Sequence, residues 1–151
     1  MIWGCMTYDG PGFMCKINGI MDQHVYKQIL QDYLLQTIDW YHLDAEWVIF
    51  QHDNDPKHRA KSAQEWLDEQ IFEVMVWPPQ SPDLSPIENL WATLNQRLSK
   101  YEHPPRGMLE LWERIEVEWN TIAQEECTRL IESMPERITA VLKSKGLRTD
   151  Y

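Results

Sequence analysis

Trp47-Val48-Ile49-Phe50-Gln51-His52-Asp53-Asn54-Asp55-Pro56 is the stretch on which the fold turns. Residues 47–50 are apolar at every position, the pattern of a strand covered on both faces in a parallel or mixed sheet. Asp55-Pro56 then reads as N-cap and first residue of a helix running to about Glu69, with Ala60, Ala63, Trp66 and Leu67 facing inward. Phe72 to Val76 returns as a strand, so residues 46–77 read as one right-handed βαβ unit. Open α/β sheets place their sites at the C-terminal ends of strands, which is where Asp53 stands.

Downstream, Trp77-Pro78-Pro79-Gln80-Ser81-Pro82-Asp83-Leu84-Ser85-Pro86 holds four prolines. Each fixes φ, so the loop is stiff. Ser85-Pro86-Ile87-Glu88 opens the next helix, whose apolar stripe is Ile87, Leu90, Trp91, Leu94 and Leu98. Thirty-four residues stand between Asp53 and Glu88. That is room for one helix and one strand, a crossover that brings both carboxylates to one end of a sheet. Alone, each residue has an ordinary explanation: Asp53 in a polar turn, Glu88 as the last residue of a capping box. As a pair about 4 Å apart they would repel by roughly 1–4 kcal/mol. A divalent cation removes that penalty, and two carboxylates offer it hard oxygen ligands.

Working outward, Met1 to Tyr8 and Phe13 to Ile17 read as a hairpin around the turn Asp9-Gly10-Pro11-Gly12. Asp22 is a good N-cap for a helix carrying Tyr26, Leu30, Tyr33 and Leu34 and ending before Asp44. After a Pro104-Pro105 linker, a helix over Met108 to Trp119 is expected to bury Met108, Leu111, Trp112, Ile115 and Trp119. A further segment covers Ile122 to Ile131. Ser133-Met134-Pro135-Glu136 has the pattern of a capping box for a last helix carrying Ile138, Val141 and Leu142.

The chain has 151 residues, one domain in length, with 43% hydrophobic residues and eight Trp to anchor a core. No apolar stretch approaches the roughly 18 residues of a membrane span, and no secretory h-region follows Met1. Three widely spaced cysteines, Cys5, Cys15 and Cys127, fit reduced thiols in the nucleus or cytoplasm rather than a disulfide framework. The net charge of −10 argues against a generic nucleic-acid binder. The bases nevertheless cluster, at Lys57-His58-Arg59-Ala60-Lys61, from Arg97 to Arg106 and from Arg137 to Arg148. A phosphate backbone could meet such patches, although solvated surface explains them as well. His52, Asp53, Asp55 and His58 can also be drawn as a zinc site. Against it, His52 beside a strand end and His58 in the first turn of a helix are expected on different faces.

Phe50-Gln51-His52-Asp53-Asn54-Asp55-Pro56-Lys57-His58 resembles the second-acid segment of mariner-type transposases, the Tc/mariner superfamily. The run Trp77 to Trp91, with Ser81-Pro82-Asp83-Leu84 and Pro86-Ile87-Glu88-Asn89 inside it, resembles their third-acid segment. Trp3-Gly4-Cys5 and Gly19-Ile20-Met21-Asp22 are similar to the family as well, so the likeness covers nearly the whole chain. The resemblance implies an α/β, ribonuclease-H-like mixed sheet flanked by helices and an Asp-Asp-Glu cluster holding two divalent metals, Mg²⁺ or Mn²⁺. It implies cleavage of DNA at an element end and transfer of the freed 3′-hydroxyl into target DNA, commonly by dimers. Asp53 takes the second-acid role and Glu88 the third, both as catalytic residues and metal ligands. Lys57, His58, Arg59 and Lys61 are candidate DNA contacts.

There are departures. His52 stands where Gln is commoner and Ser85 where Asn is commoner. The family's first Asp lies on a strand upstream of the Trp-Gly segment and is expected before Met1, as is a helix-turn-helix DNA-binding region. The expectation is therefore a ribonuclease-H-like core over 1–100, incomplete at its N-terminus, with an unpaired strand edge near Met1 to Thr7 and a helical extension over 101–151. Such a core would act on DNA as an impaired transposase, with no membrane and no small-molecule substrate. The alternative is an inactive remnant that binds DNA or a protein partner.

Overall fold

The computed structural model describes residues 1–147 and 149. Arg148, the last of the C-terminal bases, lies outside them. The chain divides into two compact units, the first holding residues 1–4 and 12–80, the second 5–11 and 81–151.

β1 (Ile2–Thr7) and β2 (Gly10–Lys16) form a two-stranded sheet. The turn is tighter than the sequence predicts. The Thr7 hydroxyl accepts from the Asp9 amide at 3.1 Å and donates to the Gly10 carbonyl at 3.3 Å. Gly10 takes φ +142°, which an L side chain rarely adopts, so the strand resumes before Pro11 rather than after Gly12.

In the first unit, Asp22 caps α1 (Gln23–Ile29) as expected, accepting from the His24 and Val25 amides at 2.9 Å. A π-helical turn over Leu30–Leu34 then leads into α2 (Leu35–Trp40). Thr37, almost fully buried, donates its hydroxyl to the Tyr33 carbonyl at 2.7 Å and accepts from the Phe13 amide of β2 at 2.9 Å. One helical hydroxyl thus satisfies a strand amide, a link no periodicity reveals.

The βαβ expectation holds in its pairing and fails in its extents. β3 (Ile49–Phe50) pairs parallel with β4 (Glu73–Val74), Ile49 opposite Glu73 and Phe50 opposite Val74. Residues 45–47 form a 3₁₀ turn instead of strand. Trp47 is 83% and Ile49 56% exposed, so the run is not covered on both faces; only Phe50 is buried, against Phe72 and His52. The helix between the strands, α3 (Lys61–Asp68), begins five residues later than an Asp55 N-cap implies. The Asp55 carboxylate bonds the Lys57 amide at 2.9 Å and its carbonyl accepts from the His58 and Arg59 amides. Ala60 is extended and interrupts that turn before the helix starts. Ala63, Trp66 and Leu67 are buried as predicted. Pairing therefore stops at two two-stranded sheets among the described residues, rather than one mixed sheet.

The second unit is helical: a 3₁₀ turn over Pro82–Leu84, then α4 (Pro86–Leu98), α5 (Met108–Asn120), α6 (Gln124–Glu132) and α7 (Met134–Lys143). Leu90 and Leu94 are fully or almost fully buried, and Trp91 stacks on Trp119 with ring centroids 4.9 Å apart. Ile115 and Trp119 are buried, but Met108 is exposed at the start of α5. Neither predicted capping box forms as drawn. Ser85 supplies no side-chain cap, and its amide donates to the Pro82 carbonyl at 3.0 Å. The Ser133 hydroxyl donates to the Leu130 carbonyl at 2.6 Å and accepts from Arg137 Nε at 2.8 Å. In α7, Ile138 and Leu142 are exposed and Arg137 is buried.

All three cysteines are buried and unbridged. Burial, with Glu126 beside it, pushes the Cys127 thiol up to about 11. No helix among the described residues is long and apolar enough to cross a membrane.

Candidate active site

Asp53 follows β3, as a strand-end acid should. Asn54 anchors the segment, its side-chain amide donating to the Trp77 carbonyl at 2.7 Å and so tying the end of β3 to the start of the Pro-rich loop. The Asp53 side chain is 68% exposed. Its Oδ1 accepts from the Asp55 amide at 3.0 Å and from His58 Nδ1 at 2.6 Å. Both bonds fall on one oxygen, which leaves Oδ2 without a partner among the described residues.

His58 belongs to a stack of rings on α1. Tyr26 has no exposed surface, and its ring centroid lies 4.0 Å from that of His58. His52 stacks with His58 at 5.4 Å, and the Tyr26 hydroxyl meets His52 Nδ1 at 2.9 Å. His52 and His58 thus share one cluster, contrary to the expectation of different faces. Burial, then the neighbouring His58, push His52 down to about 4, so its neutral ring accepts the Tyr26 hydroxyl proton. Burial likewise raises the Tyr26 hydroxyl well above the ordinary phenol range, with Asp53 and Asp55 adding to it. His58 Nε2 is buried with no hydrogen-bond partner. A proton there would be an unsatisfied donor, costing about 1–3 kcal/mol, which favours the tautomer protonated at Nδ1. No group of three or more His, Cys, Asp or Glu side chains that could hold a metal occurs among the described residues, so no zinc site is drawn here.

The remaining basic residues differ in availability. Lys57 Nζ pairs with Asp55 Oδ2 at 3.3 Å, and Lys61 pairs with Glu65 across one helical turn at 3.5 Å. Arg59 and Lys61 are exposed, while the His58 side chain is only 14% exposed and turned to Asp53.

Glu88 lies in the second unit, exposed in the first turn of α4, where the helix dipole favours a carboxylate. Its segment is braced from two sides. Buried Arg137 donates from one guanidinium nitrogen to the Asp83 carbonyl at 2.9 Å and from another to Asn89 Oδ1 at 2.8 Å. Asp83, also buried, accepts from the Thr149 amide at 2.9 Å and hydroxyl at 2.8 Å. Burial pushes the Asp83 carboxyl up, but the Thr149 bonds and nearby amides outweigh it and hold it below the usual carboxylate range. Tyr26 and Arg137 are the residues that sequence reasoning misses. Tyr26 read as a core aromatic and Arg137 as one more base in a charged tail.

The family model of the DDE superfamily endonuclease matches residues 1–109. The transposase of the Caenorhabditis briggsae transposable element Tcb1 is 36% identical over 151 residues, covering 100% of this chain and 54% of its own length. The Tc1 transposase of Caenorhabditis elegans is 34% identical over 155 residues, with the same coverage of 100% and 54%. The crystal structure of the catalytic domain of the Mos1 mariner transposase superposes with a TM-score of 0.85 at 22% identity, covering 99% of this chain and 75% of that one. The chain therefore belongs to the DDE superfamily endonucleases, is similar in sequence to the Tc1-type transposases and has the α/β, ribonuclease-H-like fold of the Mos1 catalytic domain. It spans about half the length of the curated relatives it matches. Other Mos1 structures include the catalytic domain with Mg and with Mn, a paired-end complex with the left transposon end, and a strand transfer complex.

Proposed function

We propose that this domain carries out metal-dependent DNA strand cleavage and strand transfer, with Asp53 and Glu88 as the carboxylates that hold a Mg²⁺ or Mn²⁺ ion. The observation that carries the reading is the Asp53 carboxylate: exposed at a strand end, oriented through Oδ1 and open at Oδ2. The donor chemistry fits a hard cation. Mg²⁺ keeps several waters and is commonly held by one or two carboxylates with substrate phosphates completing the shell. When bound, the ion supplies charge stabilisation to an in-line displacement at phosphorus.

The chain's own residues prepare that chemistry. His58 and the Asp55 amide fix one oxygen of Asp53, and the Arg137 and Asp83 contacts fix the loop and first turn that present Glu88. Exposed Arg59 and Lys61, with Lys57 beside them, meet the DNA backbone; His58 serves Asp53. The Mos1 complexes with transposon ends support DNA as the partner, and the Mos1 structures with Mg and Mn support the cation. In this reading the domain works as a homodimer on paired ends in the nucleus or cytoplasm.

Nicking of supercoiled plasmid DNA in Mn²⁺ tests this. Slow nicking that Asp53→Asn and Glu88→Gln each abolish is the expected result. Salt-dependent DNA binding that survives both substitutions, with no nicking in any variant, would instead make the chain a DNA-binding remnant.

A further inference from the structure

The geometry points to His58 as a positioning residue for Asp53, its imidazole held in register by the buried ring of Tyr26. The inference rests on the reading of Asp53 as a metal-binding carboxylate. A carboxylate only accepts hydrogen bonds, so the 2.6 Å contact puts the proton on His58 Nδ1. Together with the Asp55 amide, it engages Oδ1 alone and presents Oδ2 to a ligand. The imidazole has little freedom to swing away. It lies against Tyr26, whose ring is fully enclosed and whose hydroxyl is bonded to His52. The His52 ring packs beside it, and the Gln64 side chain donates to the His58 carbonyl at 2.8 Å, fixing the backbone. A carboxylate left to rotate would have to be ordered each time an ion arrives, and partners that orient a ligating group typically change metal affinity about 10–100-fold when removed.

The test uses the geometry of the two amide side chains. In His58→Asn the amide nitrogen lies near the position of Nδ1 and can still donate to Asp53; in His58→Gln it lies near Nε2 and cannot. Mn²⁺ binding to the full chain, followed by electron paramagnetic resonance, is expected to weaken on the order of 10-fold in His58→Gln and to stay near wild type in His58→Asn. The ¹⁵N spectrum of the wild-type imidazoles should show His58 protonated at Nδ1, a signature that needs neither metal nor variant. Equal loss in both variants, no loss in His58→Gln while Asp53→Asn loses the ion, or an Nε2-protonated His58 would overturn the positioning role alone. Mn²⁺ binding unmoved by Asp53→Asn would overturn the metal reading and this inference with it. Circular dichroism of each variant separates misfolding from loss of the ion, and the tautomer decides if His58→Gln does not fold.

Discussion

At the scale of single residues, Arg137 carries the most structural consequence. It is 2% exposed, and its donors end on the Asp83 carbonyl, Asn89 Oδ1 and Ser133 Oγ. Arg137→Met keeps much of the volume but strands those acceptors, so urea unfolding should show a loss of about 2–4 kcal/mol. Arg137→Lys should recover little of it, because a single ammonium cannot reproduce a planar fork. Asp83 gives a pH-dependent counterpart. Its carboxyl titrates lower in the folded chain than when unfolded, so its contribution is present above the unfolded value near 3.9 and is lost as pH falls through the folded one. Stabilities of wild type and Asp83→Asn should differ by a constant amount well above about pH 4 and converge in stronger acid; a difference that does not shrink on acidification would contradict the assignment. The place of Asp53 after a strand and of Glu88 in the first turn of a helix was legible in the sequence, because both follow from local patterns. Arg137 and Tyr26 were not, because burial of an Arg or a Tyr hydroxyl depends on acceptors that lie 48 to 54 and 26 residues away.

Among the elements, the inner faces of α4 and α5 were legible in the sequence and the extent of β3 was not. α4 and α5 emerge from apolar spacing alone, since their inner positions Leu90, Leu94, Ile115 and Trp119 are the ones buried. The Trp91–Trp119 stack joins them, and Trp119→Ala should cost about 3–5 kcal/mol by urea or thermal unfolding. Smaller losses would mean that the two helices pack chiefly through other contacts. β3 illustrates the opposite case. Four consecutive apolar residues predicted a covered strand, yet pairing is limited to Ile49 and Phe50, because β4 offers only two partners. The break at Ala60 has a similar origin. An Asp-Pro helix start is a sound local signal, but His58 is drawn to Asp53 and Tyr26, and the chain finishes a turn before α3 begins.

For the whole molecule, the fold class was accessible because the two acid-bearing motifs fix the order of elements, while the division into two units has no sequence marker. The first unit keeps Trp47, Ile49, Ile71 and Val76 largely exposed. Such apolar surface promotes association. Val76→Lys, at a residue 95% exposed, should alter stability by no more than about 0.5 kcal/mol and reduce concentration-dependent self-association in sedimentation experiments. The central proposal is that Asp53 and Glu88 both serve as ligands of the cation. A Mn²⁺ titration of wild type, Asp53→Asn, Glu88→Gln and the double variant tests it most directly. A shared ion predicts that either single substitution removes most of the affinity and that the second adds little. Independent, additive losses, or affinity unchanged by either substitution, would contradict it.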